Sequence, residues 1–224
     1  MYAVISPEKI EIPPGSVFQM PGTWAEYETL SRQLGDRSIP RLKYRPGEIW
    51  LMSPLPEHGR NVSLVADIAK AILDNLGKEY EAFTPITMKL PQTSGIEPDY
   101  CFYIDNWRSV SGKKRIDWSR KPAPDLVIEV DITSYTNVDD YLAYEVPEVW
   151  LFKSDRVTIY YLQNDSYLIS DRSRYFPNID VLQLISECFA VARSRNTSTA
   201  IRQLRQKLND ISYYDFQFLA SVCY

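Results

Sequence analysis

Two acidic segments carry the residues whose types and spacing could do chemistry. In GIEPDYCFYID (residues 95–105), Glu97 and Asp99 flank a proline and precede an apolar, aromatic run that is typical of a buried strand. In PAPDLVIEVD (residues 122–131), a second Pro-Asp step opens another apolar run, and Glu129 lies inside it. A buried carboxylate must be paired or bound to a cation, so the repeated pattern predicts a functional site.

Spacing along the second strand indicates which acids can act together. Side chains alternate between faces, so Asp125, Glu129 and Asp131 share one face of this strand. At about 3.3 Å per residue, Asp131 lies about 6.6 Å from Glu129, whereas Asp125 lies about 13 Å away and is too distant to join it. If the strand of Asp99 is a neighbour about 4.8 Å away, Asp99 and Glu129 converge on one hard cation such as Mg²⁺, with Asp131 as a further ligand or supporting acid. Alternatively, Glu129 pairs with a buried arginine and Asp99 caps a turn.

Other catalytic groups are scarce in the sequence. The chain has one histidine, His58, which excludes multi-histidine zinc sites and makes it the sole histidine available for Ser-His or Cys-His catalysis. It lies near the start of a predicted helix, where a capping histidine and a general base are both compatible with the pattern. The phosphate-binding glycine motifs and the G-x-S-x-G motif are absent. Carboxylates are therefore the best-supported catalytic groups.

Composition bounds the class of protein. With 224 residues, 45% of them hydrophobic and 24% charged, the chain is long enough for one globular domain with a full core. Its net charge of −4 gives no global positive field, so nucleic acid would have to bind at a local patch. Three widely spaced cysteines without a C-x-x-C pair favour a reducing cytoplasm. The start of the chain lacks the apolar core of a signal peptide and no run of 18 apolar residues occurs, so we expect neither export nor a membrane span.

The elements that must position these acids follow from periodicity and turn residues. We expect an extended arm over residues 1–22, one α/β domain over residues 23–209 and an aromatic tail over residues 210–224. Thr23 and Glu26 form a capping box that opens a helix, and Pro46-Gly47 turns a hairpin. Helical spacing runs from Val62 to Leu76, where Gly77 ends the helix. Further strands are predicted near 80–90, 97–104, 124–131, 147–153, 156–162 and 166–170, and helices near 137–145, 180–192 and 198–209.

The two Pro-Asp strands resemble a known signature. Pro-Asp followed after a spacer by an acid in an apolar strand resembles the P-D…(D/E)-x-K pattern of the restriction-endonuclease-like nuclease superfamily. More specifically, about residues 20–205 resemble the Uma-type family of endonuclease-like proteins, abundant in cyanobacteria, through the segments LMSPLPEHGRNVS, IEPDYCFYI, PDLVIEVDITSYTN and VPEVWLF.

The resemblance implies a fold, an activity and a set of residues. The expected fold is an α/β core with a central mixed β-sheet flanked by helices, and the expected activity is Mg²⁺-dependent or Mn²⁺-dependent endonucleolytic cleavage of DNA, often by a homodimer. Asp99 and Glu129 match the two acids of the signature. Glu57 and His58 match the P-E-H segment, where the superfamily often keeps an additional acid.

The sequence departs from the signature at two positions. The signature lysine falls on Asp131, and residues 130–152 contain no lysine, so the cation that stabilises phosphate charge would have to come from Arg60, Lys89 or Lys153. Glu145 stands where many relatives carry a glycine that would suit a left-handed turn, which predicts an altered or strained turn. The missing lysine favours a second hypothesis, a degenerate nuclease fold that binds nucleic acid or a protein partner without cleavage. A third, hydrolysis of a smaller phosphate ester, would use the same residues.

Overall fold

The computed structural model describes residues 12–35, 37, 39–120, 122–132 and 136–222, with side chains described up to residue 210. The elements within these ranges are β1 (Val17–Pro21), α1 (Trp24–Leu34), β2 (Arg41–Arg45), β3 (Glu48–Met52), α2 (Pro56–Asn75), β4 (Glu81–Phe83), β5 (Met88–Leu90), β6 (Ser94–Ile96), β7 (Tyr100–Tyr103), β8 (Leu126–Asp131), β9 (Glu148–Lys153), β10 (Arg156–Gln163), β11 (Ser166–Ser170), α3 (Val181–Ser194) and α4 (Thr197–Val222). Two short 3₁₀ helices, Trp107–Ser109 and Val138–Tyr144, complete the set; the second is called the clasp helix below.

The strands form two sheets. The larger has six strands in the order β11-β10-β9-β8-β7-β4, and it is mixed because β8 and β9 run parallel while its other pairs are antiparallel. The smaller is an antiparallel sheet of five strands in the order β1-β3-β2-β6-β5. The mixed sheet with flanking helices confirms the predicted fold class.

Three helices cover one face of the mixed sheet. The alternation predicted for β8 is confirmed, because Leu126, Ile128 and Val130 pack into a cluster with the apolar faces of α2, α3 and α4. On the opposite face, Val127 packs with residues of β5, β6 and the clasp helix. Because Glu129 shares the face of Val127, it points away from the helices and towards the smaller sheet.

Helix α2 begins and ends where the sequence indicates. Pro56 lies in its first turn, where a missing N–H costs nothing. The chain leaves the helix through Gly77, whose φ is 63°, and the N–H of Lys78 donates to the carbonyl of Leu73 at 3.0 Å. This arrangement is a glycine helix stop. Apolar residues of α2 pack on the mixed sheet, and His58 in its first turn lines the cleft.

The smaller sheet is built on the predicted hairpin. Strands β2 and β3 pair antiparallel, with Lys43 opposite Trp50. Leu42 and Tyr44 of β2 pack with Ile49 of β3 in a separate core beneath α1. The capping box of α1 is confirmed by hydrogen bonds between Thr23 and Glu26. The remaining side chains of β2 and β3 therefore face the mixed sheet.

Some predicted elements have different bounds. The single strand expected near 80–90 is two strands in different sheets, because Pro85 interrupts the run and cannot donate to a ladder. Strand β1 lies within the predicted arm, whose residues 1–11 lie outside the described residues. The backbone of α4 continues to Val222 through the predicted boundary at residue 209. The aromatic side chains of the predicted tail lie outside the described residues.

Cys101 and Cys188 are buried free thiols, and burial raises the pKa of Cys188 to about 11. Cys223 lies outside the described residues. Among the helices of the described ranges, none combines the length and apolarity that crossing a bilayer requires.

Candidate active site

A cleft lies where the two sheets meet, and it collects most of the predicted site residues. Its walls come from β1, β2 and β3 on one side and from the mixed sheet, the first turn of α2 and the clasp helix on the other. The lining residues are Ser16, Val17, Arg41, Leu42, Lys43, Trp50, Met52, Ser53, Pro54, His58, Ile96, Glu97, Asp99, Glu129, Thr136, Asp140 and Tyr141.

Asp99 is fixed by three different elements. It is 1% exposed, and its Oδ2 accepts a hydrogen bond from the backbone N–H of Val130 on β8 at 2.8 Å. Its Oδ1 lies 2.9 Å from Nε2 of His58 and forms an ion pair with the guanidinium of Arg41 on β2. Each carboxylate oxygen therefore has a partner that holds it in place.

Glu129 lies directly beside Asp99. Strands β7 and β8 are antiparallel with Tyr100 opposite Ile128, so continuing the register by one residue places Asp99 opposite Glu129. Opposed residues of such a pair have Cβ atoms about 5 Å apart. The hydroxyl of Tyr141, on the clasp helix, donates a hydrogen bond to Oε1 of Glu129. The two acids of the signature thus form a cross-strand pair at the floor of the cleft.

The two carboxyl groups differ in charge. Burial by itself would raise the pKa of Asp99, but the hydrogen bond from His58 and the charge of Arg41 outweigh it and hold this pKa below its ordinary value. Burial and the negative charge of Asp99 raise the pKa of Glu129 well above its ordinary value, against the hydrogen bond from Tyr141. Asp99 is therefore the ionised member of the pair, and a cation placed between them would favour ionisation of Glu129 as well.

A basic strand faces the acids. Arg41, Lys43 and Arg45 alternate with buried residues along β2, so all three lie on the same face of the smaller sheet, and Arg41 and Lys43 line the cleft. Arg41 pairs with Asp99, and Lys43 and Arg45 both pair with Asp140 of the clasp helix. Nε of Arg45 donates to Oδ1 of Asp140 at 2.7 Å, and its Nη2 donates to Oδ2 at 2.8 Å. The alternative prediction paired Glu129 with a buried arginine. Such an ion pair is present, but Arg41 forms it with Asp99.

The structure does not bring every predicted residue to the cleft. Asp131 is buried, but its carboxylate accepts hydrogen bonds from the backbone N–H and the hydroxyl of Thr136 and from Lys153 at 3.2 Å, outside the lining. Glu57 is exposed at the start of α2, where it lies 3.9 Å from Arg60. Of the five predicted site residues, Asp99, Glu129 and His58 are together.

The three cations proposed as substitutes for the signature lysine also lie elsewhere. Arg60 pairs with Glu57, and Lys153 with Asp131. Nζ of Lys89 donates to the hydroxyl of Ser31 at 2.7 Å. None of the three lines the cleft. The cations nearest the acids are Arg41 and Lys43, which were missed, although the alternation of RLKYR in a predicted strand signals a basic face.

Within the described ranges, no three histidine, cysteine, aspartate or glutamate side chains converge as a complete ligand set. The cross-strand pair of Asp99 and Glu129 nevertheless fits an oxygen-preferring cation, because Mg²⁺ is commonly held by one or two carboxylates together with waters and substrate phosphates.

Comparison with known proteins agrees with the fold. Residues 24–189 match the family Uma2, described as "putative restriction endonuclease". Four solved chains match the structure. One, titled as a "putative nuclease" of the DUF820 group from Anabaena variabilis, has a TM-score of 0.51 and 17% sequence identity, and the match covers 74% of this chain and 98% of that one. None of the curated proteins compared with the chain matches it.

The family match, together with the mixed sheet and its helical layer, places the chain in the restriction-endonuclease-like class. More particularly, the chain belongs to the Uma2 family. This confirms the resemblance found in the sequence.

Proposed function

We propose that the protein is a divalent-metal-dependent endonuclease that hydrolyses phosphodiester bonds of DNA, with Mg²⁺ as the expected metal and Mn²⁺ as its substitute. The observation that carries the proposal is the cross-strand pair of Asp99 and Glu129, which shares one cleft with Arg41 and Lys43. A family of nucleases suggests a nucleic-acid substrate, and a basic wall beside paired acids suits a polyanion.

Asp99 and Glu129 would hold the metal. Bound there, a divalent cation would polarise the phosphoryl oxygen and lower the pKa of an attacking water. His58 and the N–H of Val130 orient Asp99, while Tyr141 orients Glu129. These hydrogen bonds fix both carboxylates before substrate arrives, which reduces the cost of organising the site.

Arg41 and Lys43 would take the role of the signature lysine. Both lie on β2 and line the cleft, and a guanidinium presents several donors that match a phosphate. When a metal ion takes Asp99 as its ligand, the guanidinium of Arg41 is available to the phosphate. We expect Arg41→Gln to bind metal and to lose about 10²-fold or more in cleavage rate. Unchanged cleavage by this variant would show that another cation acts.

Glu129→Gln is the sharper test of the metal site. Burial already favours the neutral form of Glu129, so the neutral amide should fold normally while removing a ligand. The measurement is calorimetric titration with Mg²⁺ and Mn²⁺, together with plasmid nicking, on wild type, Asp99→Asn and Glu129→Gln. Asp165→Asn, which removes an acid from the exposed turn between β10 and β11, is the matched control and should keep both properties. Cleavage that survives both cleft substitutions would overturn the proposal.

A second candidate is a nuclease fold that binds DNA without cutting it. The observation that favours it is Asp131, which occupies the position of the signature lysine and forms its own ion pair with Lys153. Metal binding without cleavage of plasmid, single-stranded or duplex DNA, or of small phosphodiesters, would favour this candidate. Metal-dependent turnover by the pure protein that is lost in Glu129→Gln would eliminate it.

A further inference from the structure

Trp50 is an aromatic side chain of the cleft that the metal chemistry does not use. It stands on β3, where the neighbouring residues Ile49 and Leu51 are buried beneath α1. Alternation therefore turns its indole to the opposite face of the smaller sheet, where it is partly exposed and lines the cleft.

The indole is held in a defined orientation. Its Nε1 lies 3.3 Å from Oε2 of Glu48, to which it donates. The guanidinium carbon of Arg45 lies 5.4 Å from the ring centroid, within the range of a cation–π contact. The ring is therefore preorganised, and ordering it on binding a ligand costs little.

Cations and the acid pair lie close to this ring. Lys43 is directly opposite Trp50, and Arg41 is opposite Met52, two residues along the same ladder. Two residues of a strand span about 6.6 Å, so along the strand direction the backbone positions of Trp50 and Arg41 are offset by roughly the spacing of neighbouring nucleotides. Asp140 neutralises part of the positive charge of Lys43 and Arg45. These two cations therefore attract a phosphate less strongly, and binding of a neighbouring nucleotide should depend strongly on the indole ring of Trp50.

We propose that Trp50 stacks against a nucleobase of the DNA substrate, next to the phosphate that the metal held by Asp99 and Glu129 would bind. The proposal rests on the proposed function and narrows its substrate class. In a duplex both faces of a base are covered by its neighbours, so a base can meet Trp50 only where it is unpaired or flipped. The preferred substrate is therefore single-stranded DNA, or a duplex with an unpaired nucleotide at the cleavage position.

The competing structural role is that Trp50 merely packs against Arg45 and Met52. Comparing Trp50→Ala with Trp50→Phe separates the two roles, because phenylalanine keeps an aromatic face. Phe18→Ala is the matched control: Phe18 is 61% exposed on β1 of the same sheet, outside the cleft lining, opposite Leu51.

The experiment measures binding of a fluorescent single-stranded oligothymidylate by anisotropy, with Ca²⁺ in place of Mg²⁺ so that the acids hold an oxygen-preferring cation, and a denaturing gel checks that the strand stays intact. The same measurement is made with an oligonucleotide of equal length whose bases are replaced by abasic residues, and with a duplex. We expect Trp50→Ala to weaken binding of the normal single strand about 5- to 150-fold, Trp50→Phe to weaken it less, and Phe18→Ala to bind as wild type. Wild type should lose a similar factor on the abasic strand, where Trp50→Ala should lose little more.

Two results would overturn the stacking role: Trp50→Ala binding as tightly as wild type, or wild type binding abasic and normal strands equally. The second uses wild type alone, so it decides the matter even if the alanine variant fails to fold. Cleavage of the normal and the abasic single strand by wild type with Mg²⁺ separates this outcome from failure of the proposed function. Cleavage without base dependence removes the stacking role alone, whereas base-dependent binding without cleavage keeps it and removes catalysis.

Discussion

At the residue scale, the carboxyl groups of Asp99 and Glu129 have different hydrogen-bond and ion-pair partners. Asp99 has a histidine, an arginine and a backbone N–H around it, whereas Glu129 accepts a hydrogen bond from the hydroxyl of Tyr141. The more heavily supported acid is the ionised one. Losing a supporting group should therefore weaken the site without removing a ligand.

His58 is the supporting group whose loss is easiest to interpret. We expect His58→Ala to weaken Mg²⁺ binding about 10- to 100-fold, because hydrogen-bond partners of metal ligands contribute on that order. Calorimetric titration measures the change, and His58→Gln, which can still donate to Asp99, should recover part of it. Equal affinities for wild type and His58→Ala would mean that Arg41 and Val130 suffice to orient Asp99.

Glu148 gives the molecule a pH-dependent stability. Burial raises its pKa above the ordinary 4.5, although the Ser173 hydroxyl, the Arg174 N–H and the Trp150 indole donate to its carboxylate. Between the unfolded and folded pKa values the folded chain holds a proton that the unfolded chain has released. The contribution of Glu148 to the free energy of unfolding therefore falls as pH rises through this window.

Urea unfolding of wild type and Glu148→Gln at several pH values from about 4 upwards measures this slope. Glutamine does not titrate, so the wild-type advantage should be largest on the acid side and should shrink as the pH rises. A wild-type advantage that grows with pH would contradict the assigned direction.

At the element scale, the clasp helix joins parts of the molecule that the sequence separates. Asp140 holds β2, Tyr141 holds Glu129 on β8, and the hydroxyl of Tyr144 donates to the carbonyls of Met88 and Ser94 at 3.0 Å. The helix ends at Glu145, whose φ of 56° and ψ of 39° are left-handed.

Glu145 lies in the turn that the sequence predicts to be altered or strained. Glu145 is exposed and carries a β-carbon where glycine has none to clash. We expect Glu145→Gly to raise the free energy of unfolding by about 1 kcal/mol, the relief of strain being offset in part by the freer unfolded chain. Denaturant unfolding measures this, with Glu145→Ala as control, since alanine keeps the β-carbon. A glycine variant no more stable than the alanine variant would show that the turn is relaxed.

How far the elements could be predicted depends on how local their signals are. Three features depend only on residues close together in the sequence, and each was predicted. They are the capping box at Thr23, the glycine stop at Gly77 and the alternation of β8. Strand β6 was missed because it has only three residues and Gly95, of a type depleted in strands, lies at its centre. It pairs with β5 over three residues, from Met88 opposite Ile96 to Leu90 opposite Ser94, which tertiary contacts rather than sequence must stabilise.

At the scale of the whole molecule, the site is assembled from two sheets. Its acids were predictable because both lie on adjacent strands of one sheet. Its cations were not, because the pairing of Arg41 with Asp99 joins residues 58 apart and nothing local specifies it. Asp131 was predicted to join the site because it shares the face of β8 that carries Glu129. Hydrogen bonds from Thr136 hold its carboxylate outside the cleft.

The ion pairs of Asp140 with Lys43 and Arg45 connect the clasp helix to the smaller sheet, and their contribution to stability can be measured. Asp140→Asn removes the charge that pairs with Lys43 and Arg45, and we expect the free energy of unfolding to fall by about 1–3 kcal/mol. Asp139→Asn, which changes an exposed neighbour, should have little effect. Guanidinium unfolding compares the variants, and equal losses for both would show that the link contributes nothing specific.

The homodimer and the cytoplasmic location stay predictions. Sedimentation velocity with and without duplex DNA tests the first, and fractionation of cells tests the second.

The sequence separation between Arg45 and its partner Asp140 affects the order in which the cleft can form during synthesis. On the ribosome, β2 emerges 95 residues before Asp140. A nascent chain therefore carries the basic hairpin for some time without the clasp helix that neutralises it. The cleft is complete only once Tyr141 has been synthesised, so translation arrested before that residue yields a chain with no assembled cleft.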